Sequence, residues 1–380
     1  MLLDIILACD AMMDLEGGNR PAVILAYELV KKGYNVSIVS PIMSYDVEKR
    51  LNSLGITTIN FQVKLFSRRL GYSFLWFELW FREAFLRLNS RHVGSLPITI
   101  NFSHTFAAPS NFWYVQGPTS VALQDAEQEL IGASKFGYKA LKPIINWKDK
   151  KLVIDSARKS LYVVANSKFC ASIYQKWGIN VNDVIYPPID RDVFQPSTSN
   201  PSSDYILTYF GKETEFSAVK AVADLGIKIK AFGAKSPFIP KSLINHPYIE
   251  ILGRIPAYEL VTLYSNALFT LFPFTHEPFG YVPVESMACG TPVLTYNSQG
   301  PRESVINGYS GWLVESRTEL IQKAVNLWRN GYDPHIRLNC INAASRFDKE
   351  HYVKKWLEIL RNWMSGQLNS ITKRLKSVKQ

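Results

Sequence analysis

Apolar and polar positions along the first forty residues alternate between two periods. A short apolar run over 2–8 precedes a polar turn ending in Gly17-Gly18-Asn19-Arg20-Pro21, after which Val23, Ala26, Tyr27 and Val30 recur at helical spacing. The run reads as a buried strand and the spacing as an amphipathic helix over 22–32. Pro21 suits a first helical turn, where its missing N–H leaves nothing unpaired. Lys31 and Lys32 close the helix, Gly33 caps it, and 35–40 returns as a strand. Further strands are expected over 57–61, 97–102, 112–116 and 161–165. Alternation restarts after Pro201, with strands over 205–210, 228–232, 249–252, 267–273, 292–296 and 312–314. Helices are expected between and after them over 217–224, 256–265, 282–288 and 318–330. Two such series imply an α/β chain built from two Rossmann-like units.

The series meet at Val184-Ile185-Tyr186-Pro187-Pro188-Ile189-Asp190, where a proline pair continues neither a helix nor a central strand. The expected division is a first domain over 1–188, a second over 189–350, and a C-terminal helix over 351–380. That helix is expected to cross back to the first domain and to end in a basic tail. A length of 380 residues fits two cores, at roughly 100–200 residues per domain. With 47% apolar and 20% charged residues, the chain is globular. A net charge of +11 favours anionic partners or a solvated basic surface. Cys9, Cys170, Cys289 and Cys340 are widely spaced, which suits reduced thiols in a cytoplasmic protein. The uncharged stretches 92–124 and 260–276 are interrupted by polar residues and prolines, so neither reads as membrane-spanning.

The most informative segment runs from Phe272 to Val293. Glu277 and Glu285 stand eight apart, separated by Pro278, Phe279, Gly280, Tyr281 and an apolar helix start. A glycine at a helix N-terminus exposes backbone N–H groups to phosphate or hydroxyls. Two carboxylates so placed can accept hydrogen bonds from two different sugar rings. This Glu-x7-Glu pattern, followed by Ala288-Cys289-Gly290-Thr291-Pro292-Val293, resembles the signature of glycosyltransferase family 4. The resemblance extends to Gly17-Gly18, Val164 to Lys168, the linker, Leu252-Gly253-Arg254, Gly300 to Glu303 and Gly308 to Val314. It is weakest over 41–100 and 120–150.

The resemblance implies the GT-B fold, two Rossmann-like domains facing each other across a donor and acceptor cleft. It further implies a retaining transfer from a nucleoside-diphosphate sugar, with no metal and no other cofactor. By resemblance Glu277 contacts the transferred sugar, and Pro278, Phe279, Gly280 and Tyr281 line the donor site through their backbone. Glu285 takes the ribose, Gly17 and Gly18 let backbone approach the diphosphate, and Arg254 belongs to the donor side. Where the family places an arginine after the first glycine of the second domain, this chain has Lys212, with Lys220 as the following lysine. Lys212 is expected to neutralise the diphosphate, whereas Lys220 suits that role and a solvated helix surface equally. Gln116 stands where members often carry histidine on the acceptor side. His104, at the end of the preceding strand, either faces the cleft or packs there.

Over 68–91, Phe74, Phe77, Phe81, Ala84, Phe85 and Leu88 form a core-like stripe, with Trp76, Trp80, Arg87 and Arg91 opposite. The second face suits an anionic membrane surface, or alternatively burial on both sides or an oligomer contact. A peripheral position on the inner face of the membrane follows from the first option. The expected partners are a nucleotide-sugar and a glycan or lipid-linked acceptor. Nucleic acid is not expected, because no recognisable binding module accompanies the charge. The rival readings are a nucleotide-sugar epimerase on the same fold and a binding protein that has lost catalysis. Asp190-Arg191-Asp192, the single Asp-x-Asp triplet, reads as interdomain connection.

Overall fold

The computed structural model describes residues 4–15, 17–65, 72–82, 98–125, 127, 132–198, 200–211, 213–233 and 239–377. The first half runs β1 (Asp4–Ala8), α1 (Arg20–Lys31), β2 (Asn35–Ser40), α2 (Tyr45–Ser53), β3 (Thr57–Asn60) and α3 (Tyr72–Phe81). It continues with β4 (Ile98–Asn101), β5 (Ser110–Val115), α4 (Thr119–Asp125), α5 (Gly132–Arg158), β6 (Ser160–Ala165), α6 (Lys168–Lys176) and β7 (Asp183–Val184). Its sheet has the order β3-β2-β1-β4-β5-β6-β7, with every pairing parallel.

The second half runs β8 (Ile206–Tyr209), α7 (Phe216–Ala223), β9 (Ile229–Phe232), α8 (Lys241–Ile244), β10 (Ile249–Gly253), α9 (Ala257–Asn266) and β11 (Thr270–Phe272). Next come α10 (Tyr281–Ala288), β12 (Val293–Tyr296), α11 (Pro301–Ser304), β13 (Gly311–Val314), α12 (Arg317–Asn330), α13 (His335–Ala344) and α14 (Lys349–Ser377). Its sheet is also parallel, in the order β10-β9-β8-β11-β12-β13. Strand order reverses at β1/β4 and at β8/β11, and such switch points open a crevice at the carboxyl ends of the strands.

Helices cover both faces of each sheet, which explains apolar runs rather than alternation: β4 and β11 are buried at every position. Trp356 of α14 packs against Phe102, Phe112 and Tyr114 of the first half, and Tyr352 donates to the carbonyl of Pro21 at 3.1 Å. The outgoing and returning chains run side by side, with Ile189 N donating to Phe347 O at 2.7 Å. Asp190 and Asp192 bind Lys349, and Arg191 pairs with Asp348 at 3.2 Å. The Asp-x-Asp triplet is therefore held within the interdomain connection by ion pairs.

Two expectations need correcting. Trp80 is buried against Tyr138, Ile145 and Leu152 of α5, so it does not belong to an exposed membrane face. Conversely, Phe81, assigned to the core stripe, is 59% exposed, while Leu75 and Leu79 are buried. Phe85, Arg87 and Arg91, like the side chains of Phe74, Trp76 and Phe77, lie outside the described residues. With Glu78 as its single charge, α3 gives almost no polar face by which its inward side is read, and it meets a partner, α5, that the sequence left unassigned.

Candidate functional site

The turn after β11 is organised by Glu277. Its Oε1 accepts hydrogen bonds from the backbone N–H groups of Phe279, at 3.3 Å, and Gly280, at 2.9 Å. The carboxylate thus sits at the N-terminus of α10, where the helix dipole favours negative charge. Gly280 has a φ of +91°, a left-handed conformation that suits glycine. The turn is clasped from outside: Gln299 Oε1 accepts from Glu277 N at 2.6 Å, and Gly300 N donates to Glu277 O at 3.0 Å. A Cβ on Gly300 would lie 2.5 Å from backbone atoms of Phe279.

Further along α10, Glu285 is 5% exposed. It accepts from Tyr264 Oη at 3.2 Å and from Arg20 Nη1 at 2.5 Å. Arg20 opens α1 in the first half, so this ion pair joins the two halves. Its guanidinium also lies over the ring of Tyr281, 4.4 Å from the centroid, a cation–π geometry. Burial pushes the hydroxyls of Tyr264 and Tyr281 well above the ordinary phenol range, so both are neutral.

Other contacts join the same edges. Asp14 pairs with Arg254 at 3.0 Å, and Asp125 Oδ2 meets His276 Nδ1 at 2.8 Å. His276 is 3% exposed, and its Nε2 is buried without a hydrogen-bond partner. Gly117 comes close enough to Pro278 that a Cβ there would stand 3.0 Å from the proline ring. Glu303 accepts from Lys168 N at 2.9 Å, Phe169 N at 2.7 Å and Tyr186 Oη at 2.8 Å, binding the first turn of α6. Gly17 takes a φ of +58°, and the Gly18 carbonyl accepts from Gln116 Nε2 at 3.1 Å.

The residues singled out in the sequence divide accordingly. Gly17, Gly18, Gln116, Arg254, Pro278 to Tyr281, Glu277 and Glu285 lie along one seam between the halves. His104 lies in the loop after β4, where its backbone N–H donates to Asp10 at 3.0 Å. Lys220 is not brought to the seam. Its Nζ binds Asp224 at 2.7 Å, one turn along α7, and Asp224 also meets His246, just before the start of β10. That position is at the opposite end of the sheet, and an exposed i,i+4 ion pair accounts for the lysine. Lys212 lies outside the described residues. Glu215, between them, is turned away to Arg317 and Tyr296.

Sequence reasoning missed Arg20, Asp10, His276 and Asp125. Asp10 accepts from Ser103 Oγ at 2.5 Å, Thr105 Oγ1 at 2.6 Å and Thr105 N at 3.0 Å, fixing the β4–β5 loop at the switch point. A charged residue two positions after a buried strand was the available signal. The four thiols are buried and free, and burial pushes them far above the ordinary thiol range, which leaves them unreactive. Among the described residues no group of three or more His, Cys, Asp or Glu converges as a metal site.

Against known proteins, the model of glycosyl transferases group 1 matches residues 241–347. An uncharacterized glycosyltransferase of Methanocaldococcus jannaschii is 27% identical over 184 residues, 44% of this chain and 52% of the relative. The chain spans about half or less of the length of such curated relatives. Among solved structures, the sucrose-phosphate synthase of Thermosynechococcus elongatus superposes with a TM-score of 0.71 at 17% identity. That match covers 96% of this chain and 100% of the synthase. HepE of Anabaena, solved in complex with UDP-glucose, superposes with a TM-score of 0.68 at 16% identity, covering 94% and 99%. The two parallel sheets with their flanking helices form the two-domain GT-B fold.

Proposed function

We propose that this chain is a glycosyltransferase of the family 4 type. In this reading it moves a sugar from a nucleoside-diphosphate sugar to a hydroxyl of a glycan or lipid-linked glycan, with retention and without a metal. The observation that carries the reading is the pair of carboxylates on one helix start. Glu277 is locked onto the amides of Phe279 and Gly280, and Glu285 lies further along the same helix facing the glycine-rich edge of the other half. The chain's likeness to glycosyltransferases, one of them holding UDP-glucose, supports it.

In this reading Glu277 accepts from a hydroxyl of the transferred sugar, its carboxylate held in place by the amides of Phe279 and Gly280. Glu285 accepts from the ribose in exchange for Arg20. Gly17 and Gly18 admit the diphosphate, Lys212 and Arg254 offset its charge, and His104 and Gln116 lie on the acceptor side. The leaving phosphate takes the acceptor proton, so Gln116 need not. The domains divide at 188 and 350. The proposed place is the cytoplasm, at the inner face of the membrane. Among the described residues no helix is long and apolar enough to cross a bilayer.

Thermal-shift screening against nucleoside diphosphates and their sugars tests the donor, since a ligand that binds the folded state stabilises by mass action. One nucleotide series is expected to raise the melting temperature, equally with and without EDTA. No shift with any nucleotide, or a shift that requires a divalent metal, contradicts the proposal.

A further inference from the structure

Helix α5 leaves a large apolar face uncovered. Phe136, Ile144 and Trp147 are 79, 55 and 65% exposed, and Ala140 and Pro143 are exposed with them. At 3.6 residues per turn these five share one side, opposite the buried Tyr138, Ile145 and Leu152 that hold α5 against Trp80. The exposed side also bears Lys139, Lys150 and Lys151, all exposed. Lys151 lies over the ring of Trp147 at 5.5 Å. From 132 to 151 the single acidic residue is Asp149, which is buried.

From this surface we infer that α5 docks on an anionic lipid bilayer, lying in the interface with Phe136, Ile144 and Trp147 inserted and the lysines at the headgroups. Large apolar side chains left in water beside lysines are the signature of an interfacial helix, and tryptophan favours the headgroup level. Charge chooses the occupant. A second copy of the chain would set the same lysine-bearing face against itself, on a molecule of net charge +11, whereas an anionic surface neutralises it. This surface replaces the α3 face, from which the burial of Trp80 removes one anchor, and it stands independently of the donor chemistry.

Vesicle flotation of the full chain tests the inference, comparing phosphatidylcholine alone with phosphatidylcholine containing phosphatidylserine. Binding is expected to the anionic vesicles only and to weaken with salt. The triple variant Lys139→Glu, Lys150→Glu, Lys151→Glu should lose on the order of 100-fold in partitioning, about fivefold or more for each lysine removed. The variant Phe136→Ser, Ile144→Ser, Trp147→Ser should lose binding at any salt. All six side chains are exposed, so both variants should keep the wild-type melting temperature and the wild-type response to nucleotides. Equal flotation of wild type and both variants overturns the inference, as does failure of the wild type to float with anionic vesicles. Sedimentation showing a dimer that the Ser variant dissociates would assign the face to a second copy instead. A wild type that floats but binds no nucleotide would sink the proposed function and leave the docking surface intact.

Discussion

Replacing Arg20 with alanine tests the junction between the halves. Glu285 is 5% exposed, and of its two observed partners the Tyr264 hydroxyl at 3.2 Å would be left. Removing one member of a buried pair costs about 3–5 kcal/mol because a charge stays buried without compensation. The Arg20 side chain is 18% exposed, so water reaching the gap lowers this to about 2–4 kcal/mol. Its cation–π contact with Tyr281 contributes about 0.5–2 kcal/mol of that total. Glu285→Gln keeps the shape and should cost less. Combining Arg20→Ala with Glu285→Gln should recover part of the loss, since neither charge then remains. A double-mutant cycle by urea denaturation, followed by tryptophan fluorescence, measures the coupling. Additivity within about 0.5 kcal/mol would mean that the two residues do not interact, and the account of the seam would fail.

Two further outcomes follow from the geometry. Gly300→Ala should push the Phe279 backbone away, destabilising the protein by about 1–3 kcal/mol and weakening nucleotide-sugar binding, through the sugar, at least tenfold. The control Gly308→Ala, at a φ of +75° with open space around it, should cost about 1 kcal/mol and leave binding alone. Equal binding in both variants would refute this. The Asp149 carboxyl is raised by burial, against the hydrogen bond from Ser120. A raised acid stabilises the fold most at low pH and loses that contribution as pH rises through its folded value. The stability of Asp149→Asn relative to wild type should therefore increase upward from about pH 4, the ordinary carboxyl range. A pH-independent difference would show that the carboxyl is not raised.

Much of the architecture was legible because parallel strands buried on both faces leave short apolar runs with turn residues between them. The turn from Glu277 to Gly280 was legible for a local reason: the bonds from the Phe279 and Gly280 amides to the Glu277 carboxylate close within four residues. The partners of Glu285 were not, because Arg20 lies 265 positions away and sits there only once both sheets have formed. Helix α5 escaped notice because it is apolar on its exposed side as well as its buried one, and Gly137 and Pro143 interrupt the pattern further. The same ambiguity hid the burial of Trp80, which depends on α5. Lys220 shows the limit of counting along a motif: an aspartate four residues later holds it at the far end of the helix.

In the proposed reaction Glu277 serves sugar transfer while the nucleotide is held elsewhere. The most direct test of that role is release of nucleoside diphosphate from the matched nucleotide-sugar, measured for wild type and Glu277→Ala alongside nucleotide affinity. The variant is expected to stay folded and to bind nucleotide but to lose turnover by on the order of 100-fold or more, as for removal of one preorganised transition-state contact. Turnover at the wild-type rate in Glu277→Ala would contradict that role.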